Sequence, residues 1–199
     1  MRESGVGRVL VASLHQAIGE VLPMRLGFYE GWLNAEGLRD GTIGLAPLYA
    51  VLSFLRQEGA AYDQVVSIAG AYAAEWTVDS MSPIARSVIG SLPRVLRRRA
   101  VLGRARALVR MSYDGSRATW RIRKGTGRMT VAASVFCSVR EPVPLPLCRY
   151  YASAVQRMLA RFDIETPVTV DSCQGAGGSA CTMLIPFVPV EPAEPVEPS

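Results

Sequence analysis

The chain has 199 residues, 49% of them hydrophobic, and a formal net charge of +5. That length and content fit one domain around a single core and exclude an intrinsically disordered chain. No apolar run reaches the roughly 18 residues that cross a bilayer, and the N-terminal stretch lacks an export-signal pattern, so the expectation is a cytoplasmic protein.

Apolar residues at Val6, Val9, Leu10, Leu14, Ala17, Ile18 and Val21 make a helical stripe. Gly27 to Gly44 is rich in Gly, Asn and Asp and reads as a loop or short strand pair. A helix with Pro47 as its first residue runs to about Glu58. Tyr62 to Trp76 is amphipathic and helical, and another helix opens at Ser82-Pro83 and breaks at Ser91-Leu92-Pro93. After Gly103 the period shortens to two: Ala105, Ala107, Val109, Met111 and Tyr113 alternate with Arg104, Arg106, Leu108 and Arg110, which predicts a strand. Asp114-Gly115 is a hairpin turn signal. A second strand holds Ala118, Trp120 and Ile122, Gly125-Thr126-Gly127 turns, and Met129 to Val139 is the third strand of an antiparallel meander. Pro142, Pro144 and Pro146 stiffen the connection into a helix from about Leu147 to Phe162. Pro167 to Cys173 and Cys181 to Val188 make a closing hairpin. The expected class is α+β, with residues 1–188 as one domain and residues 189–199 as a disordered Pro/Glu-rich tail.

Of the 22 basic residues, 21 are arginine and one is Lys124; thirteen of them lie between Asp79 and Thr130, opposed there only by Asp79 and Asp114. In the strand reading, Arg104, Arg106 and Arg110 lie beside Arg117, Arg121 and Arg123 on one sheet face. Like charges across a sheet are unfavourable, which makes this face a candidate for an anionic partner such as an acidic protein surface. The competing reading is a solvated face neutralised by the chain's own acidic residues. No helix-turn-helix or finger pattern is present, so sequence-specific DNA binding is not expected.

The four cysteines are Cys137, Cys148, Cys173 and Cys181. In a reducing compartment they stay thiols, which leaves metal binding and plain burial as two open roles. The single histidine, His15, borders the first helical stripe and reads as structural. No Ser-His-Asp or Cys-His set can be assembled around it, so no catalytic residue is assigned and the balance falls on a protein without catalytic activity. Gly175, Gly177 and Gly178 join two strands and do not precede a helix, which makes them a turn and not a phosphate cradle.

The stretch Glu141-Pro-Val-Pro-Leu-Pro-Leu-Cys148-Arg-Tyr-Tyr, a helix, and Val170-Asp-Ser-Cys173-x7-Cys181-Thr-Met-Leu-Ile resembles the C-terminal half of the 4-vinyl reductase domain family. That fold is shared with small subunits of the TRAPP vesicle-tethering complex. The resemblance spans about Ala105 to Phe187. It implies zinc held by Cys148, Cys173 and Cys181. The family's acidic ligand falls on Val170 here, Asp171 is one residue off and on the opposite strand face, and Cys137 is the available substitute. The resemblance also implies a homodimer and an apolar cavity between helices and sheet. The helices supply Phe28, Tyr29, Trp32, Tyr49, Phe54, Tyr62, Tyr72 and Trp76, which at these spacings are core residues, and none is assigned to the cavity. The expected function is therefore a sensory module that binds an apolar or aromatic small molecule and signals to a partner protein. The alternatives are a protein of bacteriochlorophyll vinyl-group reduction and a structural adaptor docking an anionic partner through its arginine face.

Overall fold

A computed structural model describes residues 5–33, 44–139 and 141–187. The helices are α1 (Arg8–Val21), α2 (Leu26–Glu30), α3 (Leu45–Gln57), α4 (Ala60–Asp79), α5 (Pro83–Ser91), α6 (Arg94–Ser112) and α7 (Arg149–Ala160). The strands are β1 (Arg117–Arg123), β2 (Thr126–Ala132), β3 (Thr169–Ser172) and β4 (Cys181–Pro186). The chain is α+β, a helical layer on one antiparallel sheet, as its patterning indicates. The region read as a loop over Gly27 to Gly44 begins inside α2; residues 34–43 and the tail 189–199 lie outside the described residues.

The centre of the helical layer is α4, packed along α7 and α1. Along its middle the buried residues, Val65, Val66, Ala69, Gly70, Ala73 and Ala74, are small, which lets neighbouring backbones approach. At Gly70 the approach is extreme, because a Cβ there would lie 2.2 Å from the Tyr150 carbonyl oxygen of α7. Three ion pairs tie the outer edges of the same two helices: Arg149 with Asp63, Arg157 with Glu75, and Arg161 with Asp79. The helix α5 starts as its sequence dictates, with Pro83 in the first turn and the Ser82 hydroxyl accepting the Ala85 N–H at 3.2 Å. Pro47 is the third residue of its helix, which starts at Leu45, and so lies in the first turn, where a missing N–H is still harmless.

The strand expected over residues 105–113 is instead the second half of α6. The buried positions Val101, Leu102, Ala105, Leu108, Val109 and Ser112 follow helical spacing. The alternating Ala and Arg at 104–107 match period two only because a two-residue alternation over so short a run fits both templates. Ala, Leu and Arg are strong helix formers, and they continue a helix already begun at Arg94. Asp114-Gly115 therefore joins a helix to β1 and closes no hairpin.

Two hairpins, not a three-stranded meander, build the sheet, in the order β1-β2-β4-β3. The first turns at Lys124 and Gly125, both with positive φ (48° and 75°), as a two-residue primed turn requires. The strand predicted to run to Val139 stops at Ala132, and Ala133 takes φ 53° before a short 3-10 turn over Val135–Cys137. Ala118, Met129, Val131, Met183 and Ile185 form the sheet's buried face against the helices. Among the described residues no helix is long and apolar enough to cross a membrane.

Candidate functional site: a buried cysteine quartet beside an open cleft

Four separate segments each deliver one cysteine to one place. Cys137 ends the 3-10 turn after β2, Cys148 caps the N-terminus of α7, Cys173 follows β3, and Cys181 opens β4. All four are buried, and their Sγ atoms lie within 4.8 Å of one another. The Cys137 sulfur is 3.4 Å from that of Cys173 and 3.3 Å from that of Cys181. No pair is joined as a disulfide. The quartet is able, in its donor set, to hold a metal ion.

The local sequence explains each position. Phe136 stacks on Tyr150 at 4.8 Å and meets Tyr151 edge-on at 5.5 Å, so the residue before Cys137 is locked into the core beside the start of α7. Cys181 pairs with Val131 across the sheet and shares its buried face. The Gly175–Gly178 segment is a tight turn. Gly177 has φ 89°, and the Gly178 N–H donates to the Cys173 carbonyl at 2.9 Å. A Cβ on Gly175 would lie 2.8 Å from the Leu147 side chain, so a larger residue in the turn would have to displace that leucine beside Cys148.

Crowding sets the thiols against one another. The Cys173 thiol is pushed below its usual range by hydrogen bonds from Cys137, Cys148 and Cys181, helped by the Leu147 N–H, which donates to its sulfur at 3.3 Å. Cys148 is pushed up by hydrogen bonding with Cys137, Cys173 and Cys181 and by burial. Cys137 is lowered as well, chiefly by hydrogen bonding with Cys148, whereas Cys181 is pushed up, chiefly by hydrogen bonding with Cys137. Two of the four sulfurs are thus prepared for negative charge side by side, an arrangement that a bound cation stabilises.

Of the residues weighed in the sequence, the structure unites Cys137, Cys148, Cys173 and Cys181. Asp171 is outside the quartet and pairs with Arg128 at 2.9 Å on the exposed sheet face. A register irregularity between Val170 and Ser172 sets it apart from the regular ladder. Val170 faces a cleft. His15 bonds Glu30 at 2.9 Å on α1's outer side. The proposed arginine face is not one sheet surface. Arg104, Arg106 and Arg110 are exposed on α6, and only Arg117, Arg121 and Arg123 lie along β1. Across the first hairpin Arg121 pairs with Arg128, which Asp171 neutralises.

The cleft, whose lining was not read from the sequence, has a volume of about 790 Å³. It lies between the end of α3, the starts of α4 and α7, and β3, under the proline strap 142–147. Arg56, Tyr62, Val143, Leu145, Arg149 and Val170 are among its walls. The strap is fastened at one end to the glycine turn between Cys173 and Cys181 and at the other to the quartet itself. The Val143 N–H donates to the Gly175 carbonyl at 2.8 Å, and Leu147 reaches Cys173 through its N–H. The buried Tyr62 hydroxyl donates to the Leu147 carbonyl at 2.8 Å, and burial raises its pKa well above the usual value. The three alternating prolines were the only visible signal for this wall; Arg56 and Tyr62 come from distant sequence that no local pattern links to it.

No known family model matches this sequence, and no curated protein matches it.

Proposed function

We propose that this chain is a small-molecule-binding module of the 4-vinyl reductase domain kind, with a structural zinc ion on Cys137, Cys148, Cys173 and Cys181. The observation that carries this reading is the quartet itself. Four thiolates around zinc at about 2.3 Å give S···S edges of about 3.8 Å, and the present spacings, from 3.3 Å up to a limit of 4.8 Å, bracket that value. Cys137 supplies the fourth donor that Val170 cannot. A four-cysteine set leaves no open coordination position, so the ion's chemistry here is structural: it holds thiolates together and ties the closing hairpin to the start of α7. The protein's own residues then do the binding, in the cleft whose strap hangs from that centre.

Native mass spectrometry of the full chain, purified without chelator, tests this. The expected spectrum shows one zinc per chain and a small organic molecule released on activation. Less than a tenth of an equivalent of zinc by elemental analysis overturns the metal assignment. Zinc retained in full by the Cys137→Ser and Cys173→Ser variants overturns the ligand set.

A further inference from the structure

We infer that the cleft beneath the proline strap takes an organic anion, a carboxylate or sulfonate on an apolar body, with Arg56 as its charge anchor. This rests on the small-molecule-binding reading above and names the ligand class. The cleft's volume of about 790 Å³ falls in the range of small-molecule sites. Its walls are apolar along the strap and at Val170, and Leu145 stands 72% exposed over it.

The charge in the cleft selects the ligand's head group. Two arginines line it, and they differ. Arg149 is already neutralised by Asp63, with its Nε 3.0 Å from a carboxylate oxygen. Arg56 is half-buried and makes no ion pair among the described residues; its guanidinium reaches only the Phe136 carbonyl, at 3.5 Å. The nearby Glu58 is engaged by Arg25 and the Tyr29 hydroxyl. One uncompensated cation beside apolar walls favours an anion with an apolar body. The strap is preformed by its prolines and its two anchors, so the ligand need not order it.

The test uses the full zinc-loaded chain with 8-anilinonaphthalene-1-sulfonate as the fluorescent probe, displaced by octanoate or by 1-octanol. One saturable probe site is expected, with octanoate displacing about tenfold more effectively than octanol. Arg56→Met should abolish that preference, while Arg121→Met, an equal charge change on β1, should retain it. Leu145→Asp, at an exposed position that cannot disturb the core, should weaken octanoate more than octanol. Equal displacement by the two competitors, or an unchanged preference in Arg56→Met, overturns the anion assignment and leaves the binding-module reading standing. No saturable probe site, with neither competitor acting, overturns both.

Discussion

In the helical layer, α4 is held by area: small buried side chains line one long face, and α1 and α7 close over it. At the other end, residues 134–139, 141–149 and 172–181 have little regular structure, and a handful of directional contacts hold them. Chief among them are the four sulfurs, the Val143 N–H to Gly175 carbonyl bond, the Leu147 N–H to Cys173 sulfur bond, the Phe136 ring between Tyr150 and Tyr151, and one tyrosine hydroxyl. The first kind of construction tolerates the loss of any one member, because each contributes a small share of a large buried surface. The second does not, since every contact joins segments far apart in sequence and no neighbour substitutes for it. The cleft belongs to the second kind, so its shape depends on the cysteine centre more than on the bulk of the core.

The sharpest way to break this comparison is to remove a single sulfur. Cys181 is fully buried and is the first residue of β4. In Cys181→Ser the metal is expected to be lost and the melting temperature to fall by about 10 °C or more, taking several kcal/mol for the site at about 2–4 °C per kcal/mol. The helical signal in far-ultraviolet circular dichroism should persist below the transition, because the α1–α4–α7 packing does not pass through the sulfurs. A variant that melts as the parent does would show that the quartet contributes burial alone.

A strike at the helical layer gives the complementary result. Gly70→Ala sets a methyl group 2.2 Å from the Tyr150 carbonyl oxygen, and that partner is backbone, which cannot swing away. The helix-propensity gain of about 1 kcal/mol is outweighed by overpacking, and a net loss of about 1–3 kcal/mol is expected in denaturant unfolding. Zinc content should stay at one per chain. A rise in stability would mean that α4 and α7 part easily, and the two regions would then differ less than their construction implies.

The same division explains what the sequence made legible. The helices α1, α4 and α7 were readable because packing by area writes itself as a period, repeated over several turns. The hairpin strands around Ala118–Ile122 and Cys181–Pro186 were readable for the same reason. The period misled most at Ala105–Tyr113, where residues able to satisfy two templates sit at the end of a helix set further upstream by Val95 to Leu102. The quartet was half legible. Cys173, the glycine turn and Cys181 form a local pattern, whereas the part played by Cys137 depends on where Phe136 packs between Tyr150 and Tyr151. The cleft was not legible, because Arg56, Tyr62, Leu145 and Val170 come from four segments and share no spacing.

The seam between the two regions carries the smallest effect and the finest test. Tyr62 belongs to α4, yet its hydroxyl holds the strap through the Leu147 carbonyl. Tyr62→Phe keeps the ring and its burial and leaves that carbonyl without its donor, at a cost of about 1 kcal/mol. The ionisation of Tyr62 adds a pH signature. Burial raises its folded-state pKa well above 10, and burial likewise raises that of Tyr150 to about 12. Above pH 10 the unfolded chain therefore loses phenolic protons that the folded chain keeps. Stability is fully present below pH 10 and declines as the pH rises from there toward the folded-state values. Denaturant unfolding between pH 8 and pH 11.5 should show that decline in the parent and a shallower one in Tyr62→Phe, with the remaining slope due in part to Tyr150. An identical slope in the variant would mean that the Tyr62 hydroxyl is solvated, and that the strap is not fastened to the helical layer at this point.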